Sequence, residues 1–425
     1  MIYFIWIVLL VIGAPAAAQD SDEGDLTLPS VFTHVLRTHP DILNARYSLQ
    51  STQELHEQAV AGWRPRIDGS ASLYASHIDN SNFGKADGTV TKDFLIGLEQ
   101  PLYRGGRTTA EEARAKALIA AAYARTARTE QDTLLRAAAA YMDVIRARRL
   151  YTLHRENEGF LSDERQATQE KYKAGLLTKT DIEQTQARFS RGKAQTAASV
   201  ATLDTAHARL EEIIKQPAAR TLVYPAPVRN LPMTLDQTLA GLREHNPDMV
   251  AARYAAEAAD HAVDGTLSAL YPQLSAFASL NQQYDPQPGI IDDSRNATIG
   301  LRATMLFYDG GIVRSQTRQA EYAASQRRID IDAAERRLKA DIISRWRQWQ
   351  AASVERQQRE DEITAAQSTL DGVREEARIG ERTVTDILNA DYDLLLARSA
   401  LIEARHQEIM AQYALSATLG LLGSE

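Results

Sequence analysis

The chain has 425 residues and a formal net charge of −8, because its 56 acidic residues outnumber its 48 Lys and Arg residues. This negative balance argues against a nucleic-acid partner. Cysteine is absent, which excludes disulfides, thiolate metal ligands and a lipid-modified N-terminal cysteine. A chain without cysteine fits an exported protein that folds without oxidation.

The N-terminal residues predict an export signal. An uncharged apolar run from Ile2 to Ile12 is followed by Ala16-Ala17-Ala18, a pattern typical of a secretory signal and its cleavage site. We expect residues 1–18 to be removed. A membrane anchor is the alternative, although the run is short for a span of about 20 residues.

The remaining chain carries the same landmarks twice, about 205 to 207 positions apart. His39-Pro40-Asp41 returns as Asn246-Pro247-Asp248, and Tyr103-Arg104-Gly105-Gly106 returns as Tyr308-Asp309-Gly310-Gly311. Such a duplication predicts a pseudo-symmetric architecture rather than a single active site. We expect one repeat at 19–216, a proline-rich extended connector at 217–232, and a second repeat at 233–425.

Each repeat is predicted to begin with helix and then change to strand. The helical patterns at 28–62 and 235–270 are interrupted by Pro40 and Pro247, whose rings break the hydrogen-bond ladder. Alternating apolar and polar residues then predict two strand hairpins, at 66–103 and 273–308. The four predicted strands are Ile67 to Asp79, Val90 to Leu102, Gln273 to Tyr284 and Asn296 to Tyr308.

Strands of about 12 residues are long enough to cross an outer membrane when tilted. Polar segments at 79–89 and 285–295 are predicted to be the loops at the far ends of the hairpins. The smallest bacterial barrels have eight strands, so four strands cannot close one alone. We therefore expect several copies to share a barrel, and three copies would supply twelve strands.

Aromatic residues cluster at the near ends of the predicted strands. An aromatic girdle at a membrane interface is one explanation, and ordinary packing at a sheet edge is the other. The residues are Trp63, Tyr103, Tyr271, Phe307 and Tyr308.

Long helices are predicted after each Gly-Gly pair, at 107–173 and 312–377, where helix-forming residues dominate and Pro is absent. The pairs themselves, Gly105, Gly106, Gly310 and Gly311, are expected to form the strand-to-helix turns. Glycine-bearing breaks at 173–181 and 378–389 predict hairpins between antiparallel helices. Thr178 and Thr383 suit the N-cap of the returning helices.

At these landmarks the sequence resembles the TolC-like outer-membrane efflux and secretion channels. The resemblance rests on a doubled Gly-x-x-Thr-x-x-Asp-Ile motif from Gly175 and Gly380, the doubled Tyr-x-Gly-Gly turn, and the closing residues from Tyr413 to Gly420. One departure is Leu306, which stands where the first copy has Pro101 before the turn. That difference leaves the hairpin register open.

The resemblance implies a mixed fold: a periplasmic barrel of long antiparallel helices, joined to a twelve-stranded trimeric β-barrel in the outer membrane of a Gram-negative bacterium. It also implies a homotrimer in contact with outer-membrane lipid, a periplasmic adaptor and an inner-membrane transporter. No cofactor is expected. The sequence contains no catalytic triad, P-loop, dinucleotide fingerprint or metal-ligand spacing, so we do not expect an enzyme.

By resemblance, the hairpin tips hold the pore gate. Thr180 and Asp181 of the first tip would be linked to Arg382 of the second. Asp386 would form a ring of three carboxylates that favours cations, and the neighbouring Asn389 replaces a second acid, which predicts weaker cation selectivity and weaker divalent-cation block. The alternative for both aspartates is that they complement the helix dipole.

By the same resemblance, an adaptor would dock at Gly175, Leu176, Arg378 and Gly380, although each glycine could simply reverse the chain. The predicted function is a passive exit duct for substrates of an inner-membrane pump. The alternative is a periplasmic coiled-coil scaffold that never inserts. Drug efflux and type I protein secretion both remain open, and the missing lipid-modified cysteine leans toward secretion.

Overall fold

The computed structural model describes residues 25–80, 84–217, 221–228, 231–232, 234–240, 246–287 and 291–423. The predicted signal peptide lies outside the described residues. Eight helices lie within them: α1 Leu28–Thr38, α2 Pro40–Val60, α3 Arg107–Lys173, α4 Lys179–Ile214, α5 Leu235–Ala240, α6 Pro247–Leu267, α7 Ile312–Arg378 and α8 Val384–Thr418.

The predicted breaks at the two prolines are confirmed. Pro40 is the first residue of α2 and Pro247 the first of α6, the position at which a helix tolerates proline because no N–H is needed there. The Asn246 side chain accepts hydrogen bonds from the backbone N–H groups of Asp248 and Met249, at 2.9 and 3.2 Å. Local capping therefore sets where each of these helices begins.

The duplicated order of elements is also present. α2, β1, β2, α3 and α4 are followed by α6, β3, β4, α7 and α8. The long helices α3 and α7 have 67 residues each, which corresponds to rods of roughly 100 Å at about 1.5 Å per residue. Helix α4 packs along α3, and α8 packs along α7.

The four strands form one antiparallel sheet in the order β1-β2-β3-β4. Residues directly opposite in the register share a face, and apolar residues run across all four strands on one face. From β1 to β4, one row is Ile67, Leu98, Ala278 and Ile299. The next row is Gly69, Ile96, Leu280 and Ala297. The strands are β1 Arg66–Asn80, β2 Gly84–Arg104, β3 Gln273–Gln287 and β4 Ile291–Thr304.

The apolar face of this sheet is uncovered in the single chain. Ile299 is 87 % exposed, Leu301 69 % and Ile96 58 %. The opposite face is polar, with Asp68, Gly97, Ser279 and Thr298 in one row. Among the described residues, no helix is both long and apolar enough to span a bilayer.

Several strand boundaries differ from the sequence prediction. Most of the predicted loop residues 79–89 and 285–295 belong to strands, because the ladders continue outward to Asn80↔Gly84 and Gln287↔Ile291. Conversely, β4 ends at Thr304 and not at Tyr308. The end of β2 pairs with β3 up to Arg104, whereas β4 is an edge strand and its last predicted residues pair with no strand among the described residues.

The Pro101 difference between the repeats has a structural counterpart. The β2–β3 register shifts between Pro101 and Tyr103, so that Pro101 faces Ser275 and Tyr103 faces Leu274. Proline lacks the N–H that a ladder requires, and it is therefore found at bulges and edges. The shift leaves one extra residue, Leu102, in β2.

The main hydrophobic core lies where α1, α3, α4 and α8 meet. The Tyr141 hydroxyl donates to the carbonyl oxygens of Leu26 and Val223, at 2.7 and 2.6 Å, and burial raises its pKa to about 12. Leu26 also pairs with Leu222 as a parallel bridge. One buried tyrosine thus holds the N-terminal segment beside residues 221–228 of the connector, which belong to no helix or named strand.

Candidate functional site

The first helical hairpin reverses direction at Gly175. Its φ of +77° is left-handed, a conformation that glycine adopts without strain at helix ends. The Gly175 N–H donates to Tyr172 O at 2.9 Å, and the Leu176 N–H donates to Lys171 O at 3.0 Å. This turn leaves the Leu176 side chain 74 % exposed.

The second hairpin reverses in the same way at Gly380, where φ is +86°. The Glu381 N–H donates to Glu376 O at 3.0 Å. Ile379 is 73 % exposed, and Arg378 pairs with Glu375 at 3.2 Å at the surface. Each tip therefore presents one exposed aliphatic side chain beside its glycine.

Capping boxes begin both returning helices. Asp181 Oδ2 accepts from the Thr178 N–H and hydroxyl at 2.8 and 2.7 Å, and Asp386 Oδ2 accepts from the same groups of Thr383 at 2.9 and 2.8 Å. These bonds lower the pKa of both carboxyls. Both aspartates therefore have the N-terminal role that was the alternative to a gating role, and the two roles are compatible.

Arg382 is held within its own hairpin. Its Nε donates to Glu376 Oε2 at 2.7 Å, and this bond raises the pKa of the guanidinium. No bond from Arg382 to Asp181 or to the exposed Thr180 is present in the described part of the chain. The link expected between these residues is thus not formed inside one protomer, because Asp181 and Arg382 each already bond within their own hairpins.

Other residues connect the two hairpins. Arg188 of α4 donates from Nη2 to Asn389 Oδ1 of α8 at 2.8 Å, and its guanidinium lies 5.4 Å from the centre of the Tyr392 ring. Thr385 donates to Gln184 Oε1 at 2.6 Å. Sequence reasoning named Asn389 but missed its partner. The sequence offered no signal for this pair, because Arg188 and Asn389 lie 201 positions apart.

An apolar contact between α3 and α8 supports these bonds. Leu161, Val384 and Leu388 are buried together, with Phe160, Leu177 and Phe189 packed against them. Gly192 lies beside this contact, and a Cβ added there would be 2.8 Å from a Leu161 methyl carbon. The two hairpins therefore pack as one body near their tips.

A half-buried carboxyl lies farther along α8. Asp391 Oδ2 accepts from Asn157 Nδ2 at 2.9 Å, beside a cavity of about 190 Å³ that Arg374 and Arg398 also line. Burial raises the pKa of Asp391 to about 6, against the opposing effect of Arg374. The sequence offered no signal for this group, because its burial results from α3 and α7 packing on either side.

The Gly-Gly pairs form the predicted strand-to-helix turns. All four glycines have positive φ: +64° at Gly105, +85° at Gly106, +72° at Gly310 and +91° at Gly311. The Gly105 backbone also lies close to the turn after α6, since a Cβ at Gly105 would lie 2.5 Å from Ser268 O and 2.8 Å from Tyr271 Cβ. In the second repeat, Asp309 Oδ2 accepts from the Val313 N–H at 2.6 Å and so caps α7.

The five aromatic residues lie at one end of the sheet. Their exposed fractions are 41 % for Trp63, 46 % for Tyr103, 55 % for Tyr271, 90 % for Phe307 and 85 % for Tyr308. They are found where β1 and β3 begin and where β2 and β4 end, so the antiparallel order brings them to a common level. This is the end at which the sheet continues into the helices.

Comparison with known proteins assigns this architecture. The family model described as outer membrane efflux protein matches residues 32–214 and 239–421, one segment in each repeat. The outer membrane efflux protein BepC of Brucella suis is 30% identical over 399 residues, covering 94% of this chain and 86% of the relative. The alkaline protease secretion protein AprF of Pseudomonas aeruginosa is 23% identical over 400 residues, covering 88% and 81%.

Among solved structures, the outer membrane protein VceC of Vibrio cholerae has the same fold, with a TM-score of 0.80 at 19% identity over 92% of this chain and 96% of that one. The predicted mixed fold of long helices and a four-stranded sheet is therefore confirmed. With both repeats matched by one family model, the chain belongs to the outer membrane efflux protein family and is an outer-membrane channel for efflux or secretion with a large periplasmic portion.

Proposed function

We propose that three copies of this chain form a continuous exit duct that receives substrates from an inner-membrane pump through a periplasmic adaptor. The observation that carries the proposal is the four-stranded sheet, whose apolar face is uncovered and whose outer strands β1 and β4 are each paired on one side only among the described residues. A single chain cannot close a barrel with four strands, but three chains supply twelve.

The test is cell fractionation with gel analysis of unheated and heated samples. We expect the protein in the outer membrane as a trimer that dissociates on heating, and we expect external protease to cut within residues 285–295 on intact cells. A monomer in the soluble periplasm, with these residues protected, would support the non-inserting scaffold instead.

The hairpin tips are the surface we assign to the adaptor. Leu176 and Ile379 are exposed aliphatic side chains there, and Gly175 and Gly380 allow a partner backbone to approach closely. Arg378 adds an exposed charge whose partner, Glu375, is equally accessible. An amphipathic helical hairpin with small apolar residues at its tip would fit this surface.

The cargo is either small molecules or secreted proteins, and the relatives include both kinds: BepC is named for efflux and AprF for protease secretion. Deleting the gene separates the two. Loss of specific proteins from the medium indicates secretion, whereas increased sensitivity to drugs and bile salts with an unchanged secreted proteome indicates efflux.

The gate is proposed to depend on two arginines. Arg188→Ala removes the bond that joins the two hairpins at Asn389, and Arg382→Ala removes the Glu376 pair and any link to Asp181 or Thr180 of a neighbouring copy. We expect both variants to raise single-channel conductance in planar bilayers. Arg327→Ala is the control, because Arg327 lies near the other end of α7 and pairs with Asp330 at the surface; if it raises conductance as much, the tip is not the constriction.

Asp386 is proposed to contribute a ring of three carboxylates to the pore. Asp386→Asn retains a side-chain oxygen that accepts the Thr383 capping bonds while removing the charge, so we expect cation selectivity to fall without loss of trimer. The reversal potential in a salt gradient measures this change. An unchanged reversal potential would mean that the carboxylate does not face the pore, and Glu381→Gln, an exposed tip acid outside the capping box, is the matched control.

A further inference from the structure

The two hairpins have the same internal register. Ile67 faces Leu98 in the first, and Leu274 faces Ala303 in the second; Gly69 faces Ile96, and Ala276 faces Leu301. A residue of β1 thus corresponds to the residue 207 positions later in β3, and a residue of β2 to that 205 positions later in β4. The pairing within the sheet can therefore be used to predict the pairing at its two free edges.

The junction between the repeats is the β2–β3 pairing, in which Ile96 faces Leu280 and Leu98 faces Ala278. By the same correspondence, Leu301 takes the place of Ile96 and Leu73 takes the place of Leu280, so Leu301 of one chain would face Leu73 of another. Ala303 would face Ala71 in the same way. We propose that β4 pairs antiparallel with β1 of a second copy in this register. The inference rests on the proposed trimer and specifies how its copies join.

The chemistry of the two free edges agrees with this register. Leu73 and Leu301 are each 69 % exposed, and both belong to the apolar face, so that face continues unbroken across the junction. A slip of one residue would place Leu301 opposite Ser72 and turn the whole apolar face of β1 to the other side of the sheet. Uncovered edges of this length would otherwise favour aggregation.

The end of β4 also becomes explicable. Pro101 pairs with Ser275 at the internal junction, before the register shift, and the corresponding pair at the junction between copies is Leu306 with Asp68. The pairing would extend β4 from Thr304, where it ends in the single chain, to Leu306.

The Gly-Gly turn supplies an independent contact. A Cβ added at Gly105 would collide with Ser268 O and Tyr271 Cβ, whereas one added at Gly310, where φ is similar, would have no atom of the other described residues within 4 Å. The corresponding partners of Gly310 are Ala61 and Arg64 of the second copy, in the equivalent turn after α2. The glycine thus leaves room for a neighbouring chain.

Cysteine cross-linking tests the register in the full chain, which has no cysteine of its own. We expect the Leu73→Cys/Leu301→Cys variant in outer membranes to form covalent dimers and trimers on oxidation. Ile96→Cys/Leu280→Cys, the same pair within one chain, is the positive control. Ala71→Cys/Leu301→Cys is offset by two residues, with Cα atoms about 7–8 Å apart, and we expect little cross-linking because disulfides require shorter separations.

The possible outcomes test the proposed register separately from the proposed trimer. Cross-linking of the offset pair in place of the matched pair overturns this register while the trimer stands. If neither pair links and the unmodified protein is also a monomer, the proposed function itself fails. If neither pair links although the unmodified protein is a trimer and the control pair forms, β4 and β1 are not neighbours, which also overturns the inference.

A second test uses the glycine contact. We expect Gly310→Ala to reduce trimer yield at least about tenfold relative to Gly311→Ala. Both substitutions place alanine at positive φ, but Gly106, the counterpart of Gly311, has no atom within 4 Å in the first repeat. Circular dichroism of the unassembled chain checks that α7 still forms. Equal trimer yields for the two variants would overturn the turn contact.

Discussion

Leu280→Arg is expected to prevent the sheet from assembling in the outer membrane. Leu280 lies on β3 in the middle of an apolar row, between Ile96 and Ala297, and is 52 % exposed in the single chain. A guanidinium at this level of a membrane barrel costs about 2–4 kcal/mol per chain, and a trimer incurs that cost three times. We expect almost complete loss of the heat-sensitive trimer from outer-membrane fractions.

Ser279→Arg is the matched control, because the next residue of the same strand points to the opposite face, between Gly97 and Thr298. We expect this variant to assemble, since a charge on the inner face of a barrel remains in water. Failure of both variants would indicate that β3 tolerates no long side chain at this point. Normal assembly of Leu280→Arg would contradict the assignment of the apolar face to lipid.

Asp391→Asn is expected to increase stability at neutral pH and to leave it nearly unchanged at pH 4. Burial raises the pKa of Asp391 to about 6 in the folded chain, above its ordinary value of 3.8. The folded state therefore binds a proton more readily than the unfolded state, and the native protein loses stability as pH rises from about 4 to about 6. The loss amounts to about 1–3 kcal/mol after allowance for partial solvent access.

The measurement is thermal unfolding of the detergent-solubilised protein at pH 4 and pH 7.5. Arg374, Arg398 and Glu164 are the charged groups that act on Asp391, and Asn157 donates to it. We expect Asp391→Asn to flatten the pH dependence of the melting temperature. Glu156→Gln is the control, because Glu156 lines the same cavity but is exposed. If Glu156→Gln flattens the pH dependence of the melting temperature equally, Asp391 is not its cause.

Much of the architecture was predictable because its determinants are local. Pro40 and Pro247 begin helices because the first helical position needs no N–H. Thr178 with Asp181, and Thr383 with Asp386, form capping boxes because the two residues of each box are three apart. The alternating residues of β3 and β4 predicted which side chains share a face, and the register confirms it.

The side-chain partners at the hairpin tips were not predictable in the same way. Arg382 had several acidic residues within reach, and only the fold of the second hairpin selects Glu376. Arg188 lies 201 positions from Asn389, so nothing in the local sequence connects them. The end of β4 was also not predictable from local sequence, because strand pairing requires a neighbour, and the last predicted residues of β4 have none among the described residues.

The sequence by itself determined the twofold repeat, the helices and their caps, the strand faces and the glycine turns, because each depends on backbone preferences and on spacings of a few residues. Only the tertiary structure decided which hairpin residues bond across α4 and α8, that Asp391 is half-buried, and where β4 ends. Those outcomes depend on how distant segments pack together, since burial and hydrogen-bond partners are properties of the assembled helices and sheet.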